Sequence, residues 1–351
     1  MSSAVSIHLK YKRFALLVIR KLRSVFRPTS TIYVNSRVQE YRSYWSGAAE
    51  KIGATFEDIY DGVWSIGLNG RTTRIANYVT EADSPVTLIL AGNKSYCADL
   101  ANKLKIPTAV IGRFDFEDIR AIQDAVSDED GLWVIKPDSG SSSGLGITTQ
   151  IRSISEIKKA VLLASLYDKS ILLERFVPSE SCRLLYLNFK LIHASRRTGV
   201  RLVGDGVSSI LELSKRTYPE TRTDDPIVQF SLQSQGLTTS SVLPNDVSVV
   251  IRHVSEAKDQ TTEFRTVYDE DVTKQVGFAL NQQLSELVSN LQCNLVGVDI
   301  LTNDLSCRLE DSGGVFLELN TTPGIHHHYL NSTLVQEASV AEPILKYLLS
   351  R

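Results

Sequence analysis

"VFLELNTTPGIHHHYL", residues 315 to 330, joins a strand-like run to three consecutive histidines. Side chains alternate across a strand, so Glu318 and Asn320 are expected on one face with Phe316, and Val315, Leu317 and Leu319 on the other. A second run, "NLVGVDILTND" (294–304), carries Asp299 on a face with Gly297 and Leu301. Two such strands side by side would gather Asp299, Glu318 and Asn320. Those three donors are all oxygen, which suits a hard cation such as Mg2+, with Mn2+ as the alternative, above all one that also holds phosphates. Adjacent histidines on an irregular loop cannot all turn toward one ion. His326 and His327 are therefore expected as local features beside the site, contacting a carboxylate or solvated.

Working outward, "KPDSGSSSGLGI" (136–147) places a lysine at the mouth of a Gly/Ser-rich loop. Backbone N–H groups of such a loop can wrap an anion, serine hydroxyls add donors, and Lys136 adds a point charge. The loop lacks the GK[ST] ending of a P-loop, and a strand rather than a helix follows it. "LLERFVPSES" (172–181) has an acid inside an apolar strand that stops at a proline. The backbone of Phe176 and Val177 could read the edge of a base there, and Glu180 or Ser181 could reach a ribose.

Around these motifs the pattern predicts an α/β chain. "TSTIYVNS" (29–36) reads as a first strand, "EYRSYWSGAAEKIGA" (40–54) as a helix closed by glycine, "VTLILAGN" (86–93) as a buried strand and "KSYCADLANKLKIPTA" (94–109) as a helix. That alternation describes a small α/β lobe. Next come a strand, loop and strand over 131–151, then a helix in "SISEIKKAVLLASLYDK" capped by Ser155. "SILLERFVP" is a strand, and "RLLYLNFKLIHASRR" (183–197) a hairpin turning at Asn188-Phe189. The stretch 214–240 is a polar excursion, 271–292 a long helix, and "AEPILKYLLS" (341–350) the last helix.

The chain has 351 residues, 42% apolar and 22% charged, with net charge −2. That is an ordinary globular composition of two or three lobes, with nothing in its overall charge to attract nucleic acid and no apolar run long enough for a transmembrane segment. Cys97, Cys182, Cys293 and Cys307 lie far apart and read as reduced, buried thiols of a reducing compartment. The first acid is Glu40; before it stand Lys10, Lys12, Arg13, Arg20, Lys21, Arg23 and Arg27 around "FALLVI". We expect a helix packed on the body with a basic outer face; contact with a membrane or partner, and an organelle presequence, are the alternatives.

Taken in order, the motifs resemble the ATP-grasp superfamily, and within it the ligase domains of cyanophycin synthetase and of bifunctional glutathione synthetase. The resemblance covers roughly 85–330 and rests on "LLERFVPSESCRLLYLNFKLIHASRRTGVRLVGDGVSSILEL", "NLVGVDI" and "LELNTTPGIHHH". It implies an α/β (α+β) ATP-grasp fold of three lobes with ATP held between two sheets. The lobes would be a basic segment at 1–28 followed by an N-terminal lobe at 29–93, a central lobe at 94–172 and a C-terminal lobe at 173–351.

The resemblance implies a ligase that joins an amino-acid or peptide carboxylate to an amine through an acyl phosphate, using ATP and Mg2+. Lys94 and Lys136 match the lysines on ATP phosphates, and Ser141, Ser142, Ser143 and Gly144 match the phosphate loop that ends at Gly146. Glu174, Phe176 and Val177 match the adenine hinge. Asp299, Glu318 and Asn320 match the metal ligands. Arg197 and Arg252 match positions at the acyl phosphate, and Arg183 and His328 positions facing the substrates. Three features depart from the family. Ser181 stands where an acid usually binds ribose, with Glu180 beside it. The phosphate loop is one residue longer. "SEAKDQTTEF" (255–264) replaces a small glycine-rich loop.

Both named relatives carry a further catalytic domain, so a stand-alone cytoplasmic ligase in small-peptide or natural-product synthesis is expected, with room for a homodimer. The alternatives are a grasp-type kinase, a nucleotide-binding protein without turnover, and a modifier of protein termini.

Overall fold

The structure, a computed structural model, describes residues 9–19, 31–127, 131–139, 146–197, 200–218, 223–224, 226–252, 270–329 and 339–351. Helix α1 covers 9–19. Helix α2 (Thr31–Ile52) runs through the segment expected as a first strand. It buries Tyr41, Trp45, Ala48 and Ala49, spaced as one helical stripe. Packing of that stripe overrides the strand propensity of "TIYV" just before it.

Next is an antiparallel meander of β1 (Thr55–Tyr60), β2 (Val63–Leu68), β3 (Arg71–Ala76) and β4 (Val79–Thr80). Asn69 and Gly70 both take positive φ, 50° and 78°, in the turn between β2 and β3, as a two-residue hairpin loop requires. Helices α3 (Pro85–Ala91) and α4 (Lys94–Lys103) follow. "VTLIL" is therefore helical and not a buried strand. Ser84 accepts from the Thr87 N–H and Pro85 opens the first turn, a helix start that outweighs the β-branched composition. The N-terminal lobe is helix, meander, helix, helix rather than alternating strands and helices.

The central lobe holds β5 (Val110–Asp115), α5 (Ile119–Ser127), β6 (Trp133–Pro137), β7 (Thr148–Ile151), α6 (Ile154–Ala164) and β8 (Ser170–Arg175), its antiparallel sheet ordered β5-β8-β6-β7. Trp133, Ile135, Ile171 and Leu173 pack on Ile122, Ile157 and Val161 of the two helices. By strand alternation Lys136 and Glu174 face the other way. The N-cap of α6 is Ser153, not Ser155: Ser153 accepts from the Glu156 N–H while Glu156 reaches back.

The remaining elements are β9 (Ser181–Leu187), β10 (Lys190–Arg197), β11 (Val200–Val203), α7 (Ile210–Thr217), α8 (Pro226–Ser234), β12 (Ser248–Arg252), β13 (Glu270–Asp271), α9 (Phe278–Asn290), β14 (Leu295–Leu301), α10 (Leu309–Ser312), β15 (Val315–Asn320) and α11 (Ala341–Leu348). The hairpin between β9 and β10 turns at Asn188 and Phe189 as expected, with φ of 47° and 64°. Helix α9 starts later than expected, at Phe278, after a 3-10 turn at Thr273–Gln275. The stretch read as a polar excursion holds the end of α7 and all of α8, whose Val228 and Leu232 join a small core with Ile210 and Leu213 of α7 and with β11 and β12.

The five-stranded sheet, ordered β13-β10-β9-β14-β15, is covered on both faces. Leu184, Tyr186, Val296 and Val298 meet Leu280, Leu284 and Leu287 of α9. Leu185, Leu187 and Leu295 meet the layer formed by α2, the meander and α11. The apolar cover on this second face ends where the sequence turns polar, and there the candidate site lies.

Candidate active site

Strands β14 and β15 pair antiparallel with Asp299 opposite Glu318 and Gly297 opposite Asn320. The three oxygen-bearing residues thus share one face, as the alternation implied. Phe316 does not share it. The register shifts between Asp299 and Ile300, so Ile300 faces Phe316 and Leu317 is the extra residue. Such a bulge flips every side chain beyond it, and Phe316 is buried with Ile300 on the α9 side. On the next strand Arg183 lies opposite Asp299. Ser195 of β10 lies opposite Arg183, which puts Arg197 on the same face two residues on.

The Arg183 guanidinium donates from Nε to Asp299 Oδ1 and from a terminal nitrogen to Oδ2, both at 2.6 Å, and Arg197 stands 3.7 Å from Oδ2. Burial would raise the Asp299 carboxyl, but Arg183 first and then Arg197 outweigh it and hold the carboxyl below its usual range. Glu318 meets Lys94, the first residue of α4, at 3.4 Å. Lys136 of β6 contacts Glu174 of β8 at 2.7 Å. Burial alone would lower the Lys136 ammonium; Glu174, Glu318 and Asp138 outweigh it and push it up. Lys94 of α4, Lys136 and Glu174 of the central lobe and Glu318 of the C-terminal lobe thus converge between the two sheets.

Two supports went unread in the sequence. Asp138 is almost fully buried. It accepts from the Ser95 N–H at 3.1 Å and hydroxyl at 2.7 Å, and meets Arg113 Nε at 2.9 Å. It therefore ties the first turn of α4, which carries Lys94, to the strand carrying Lys136. The "KPD" order hinted at it, since an acid just past a buried strand needs a partner. The second support is His193, inside the apolar run "KLIHAS". Its Nδ1 shares a hydrogen bond of 2.8 Å with His328 Nδ1.

Two of the three histidines are buried rather than solvated, and His327 is half-buried. His326 and His328 are buried, and residues 325–328 form a 3-10 turn. His326 Nδ1 is bonded to the Tyr41 hydroxyl, which corrects the solvated alternative. Burial first, then the neighbouring His193 and the Arg183 and Arg197 guanidiniums, push His328 well below its ordinary value, so it stays neutral.

The other expected residues have these local surroundings. Phe176 donates its N–H to the Leu132 carbonyl at 2.8 Å. Val177 is half-buried in the irregular stretch after β8. Glu180 meets Arg196 at 2.9 Å and Arg201 at 3.8 Å, and Ser181 opens β9. Arg252 ends β12 opposite Val200; its side chain falls outside the described residues, as do Ser141, Ser142, Ser143, Gly144 and the loop 255–264. Cys97, Cys182 and Cys293 are buried, with thiols pushed up to about 12 by burial, whereas Cys307 is partly exposed.

The donor set fits a hard cation. Among the described residues no group of three or more His, Cys, Asp or Glu side chains is placed to hold a metal ion. The candidate ligands are instead two carboxylates and an amide oxygen, brought to one face of β14 and β15, a set of hard donors. The sheets also match a known architecture. The crystal structure of a bifunctional glutathione synthetase from Pasteurella multocida superposes with a TM-score of 0.57 at 20% identity, over 86% of this chain and 43% of that one. The chain has the ATP-grasp fold.

No family model matches the chain. Cyanophycin synthetase of Synechocystis sp. is 28% identical over 248 residues, 65% of this chain and 27% of that protein. The bifunctional glutathione biosynthesis protein GshAB of Clostridium perfringens is 26% identical over 272 residues, 71% of this chain and 33% of that protein. The chain therefore spans only about a third or less of the curated relatives it matches. Among the described residues no helix is long and apolar enough to cross a membrane.

Proposed function

We propose that the protein is an ATP- and Mg2+-dependent ligase that forms an amide between the carboxylate of an amino acid or short peptide and an amine. The observation that carries this reading is the convergence, between two sheets of an ATP-grasp fold, of Lys94, Lys136, Asp299, Glu318 and Arg183. In it ATP lies in the cleft with its phosphates on Lys94 and Lys136 and its base along Phe176 and Val177. Mg2+ (or Mn2+), held by Asp299, Glu318 and Asn320, supplies charge neutralisation at the phosphates.

Phosphoryl transfer demands positioning and neutralisation of spread charge more than covalent help. A substrate carboxylate oriented by Arg183 and Arg197 attacks the terminal phosphorus, ADP leaves, and an acyl phosphate forms. An amine then attacks the acyl carbon, and phosphate departs with one carboxylate oxygen. Both arginines suit a planar, two-oxygen anion. Neutral His328, buried next to them, leaves their charge undivided. The lobes divide as a basic segment, an N-terminal lobe and two clasping lobes, and we place the reaction in the cytoplasm.

A mass-spectrometric screen of amino-acid pairs with ATP tests the reading. The expected product has the summed mass of a pair less one water, formed together with ADP and lost in Glu318→Ala. The reading fails if ATP is hydrolysed and no pair yields an amide.

A further inference from the structure

Helix α1 has two apolar faces, and among the described residues only one of them packs on the rest of the protein. Its inner side is fastened to the central lobe. Leu9 is buried in that core. Arg13 Nε donates to the Ser165 carbonyl at 2.7 Å, with its guanidinium 5.3 Å from the Phe116 ring centre. Lys10 meets Glu117 at 2.8 Å. On the opposite side Tyr11, Phe14 and Val18 follow one another at helical spacing and are 72%, 67% and 42% exposed. A helix on a globular body normally turns its apolar stripe inward and its polar residues out. A second stripe held outward marks a surface that something else covers.

Two further observations say what covers it. Along the helix lies a cavity of about 550 Å3 in which Lys10, Arg13 and Lys169 stand over the apolar walls of Phe14, Leu17 and Phe116, with Glu117 as its one acid. Cations above an apolar floor fit an anionic headgroup above an acyl chain. Charge is also divided along the chain. Residues 1–39 hold eight lysines and arginines and no acid, while the rest of the chain has 30 cations against 40 acids. An anionic surface would repel the body and attract this N-terminal stretch, to which α1 belongs.

We propose that α1 docks the protein on an anionic lipid bilayer, lying in the plane of the interface. Tyr11, Phe14 and Val18 enter the headgroup boundary, and the cations of the cavity meet lipid phosphates. At about 1.5 Å rise per residue the described helix is roughly 16 Å long, enough to lie on a bilayer and too short to span it. A polynucleotide or an acidic protein would use the cations but would leave the apolar row uncovered.

The test pellets the full chain with vesicles. Wild type is expected to sediment with equimolar phosphatidylcholine and phosphatidylglycerol, and not with phosphatidylcholine alone. The double variant Phe14→Asp/Val18→Asp is expected to bind the anionic vesicles at least about tenfold more weakly. Its far-UV circular dichroism and ATP turnover should be unchanged, because both side chains already face solvent. The proposal is overturned if wild type does not sediment with anionic vesicles. It is equally overturned if the double variant sediments like wild type, because cations alone would then suffice, as they do for a polyanion or an acidic protein.

Discussion

Replacing Lys136 with Met strands a carboxylate inside the protein. Lys136 Nζ lies 2.7 Å from Glu174 Oε1, and the two side chains are only 5% and 4% exposed. At an effective dielectric of about 20 their attraction is about 6 kcal/mol, opposed by several kcal/mol of desolvation for each ion. The intact pair is therefore worth little net, whereas removing one member costs about 3–5 kcal/mol. The complementary Glu174→Gln leaves an ammonium that still has Glu318 and Asp138 near it, so its cost falls toward the lower end of that range. Lys136→Met/Glu174→Gln removes both charges and is expected to recover most of the loss, giving a coupling energy of several kcal/mol. Urea unfolding followed by tryptophan fluorescence measures all three variants. Added ATP should raise the midpoint of wild type and leave that of Lys136→Met unmoved. A cost below about 1 kcal/mol for Lys136→Met, the scale of an exposed pair, would refute the reasoning, as would a double variant equal to the sum of the singles.

Ser153→Ala is expected to destabilise by about 1 kcal/mol, the usual worth of an N-cap, and Ser155→Ala to be nearly neutral; urea midpoints decide between the two serines. His328 is held neutral in the folded chain, below its ordinary value. Its contribution to stability is therefore complete above the unfolded value of about 6.5 and is lost as pH falls through and below it. Stability should drop as pH falls below about 6.5, and His328→Gln should flatten that slope in unfolding measurements across pH.

The strands that bear the candidate site were legible because their signals are local. "VGVDIL" and "VFLELN" each set acids against apolar alternation, and the strands place Asp299 opposite Glu318. The face of Phe316 was misread because a bulge depends on the partner strand, which periodicity in one strand does not report. The N-terminal lobe was misread for other reasons. "TIYV" carries strand propensity, but Tyr41 and Trp45 are buried on a helical stripe farther along the same α2. In "SPVTLIL" the Ser-Pro helix start was the decisive signal, and the Asp-Gly and Asn-Gly pairs at 61–62 and 69–70 marked hairpins. Asp138 and His193 were missed because their roles come from partners 43 and 135 residues away in sequence, at distances no short motif spans.

The most direct measurement follows an oxygen atom. The protein is incubated with ATP, Mg2+ and a pool of amino acids and short peptides whose carboxylates carry heavy oxygen, and the released phosphate is analysed by mass spectrometry. If a carboxylate is activated as an acyl phosphate and an amine displaces the phosphate, one heavy oxygen is expected in each phosphate released. Phosphate released without the label, while ATP is consumed, would contradict the assignment of this cleft to carboxylate–amine ligation.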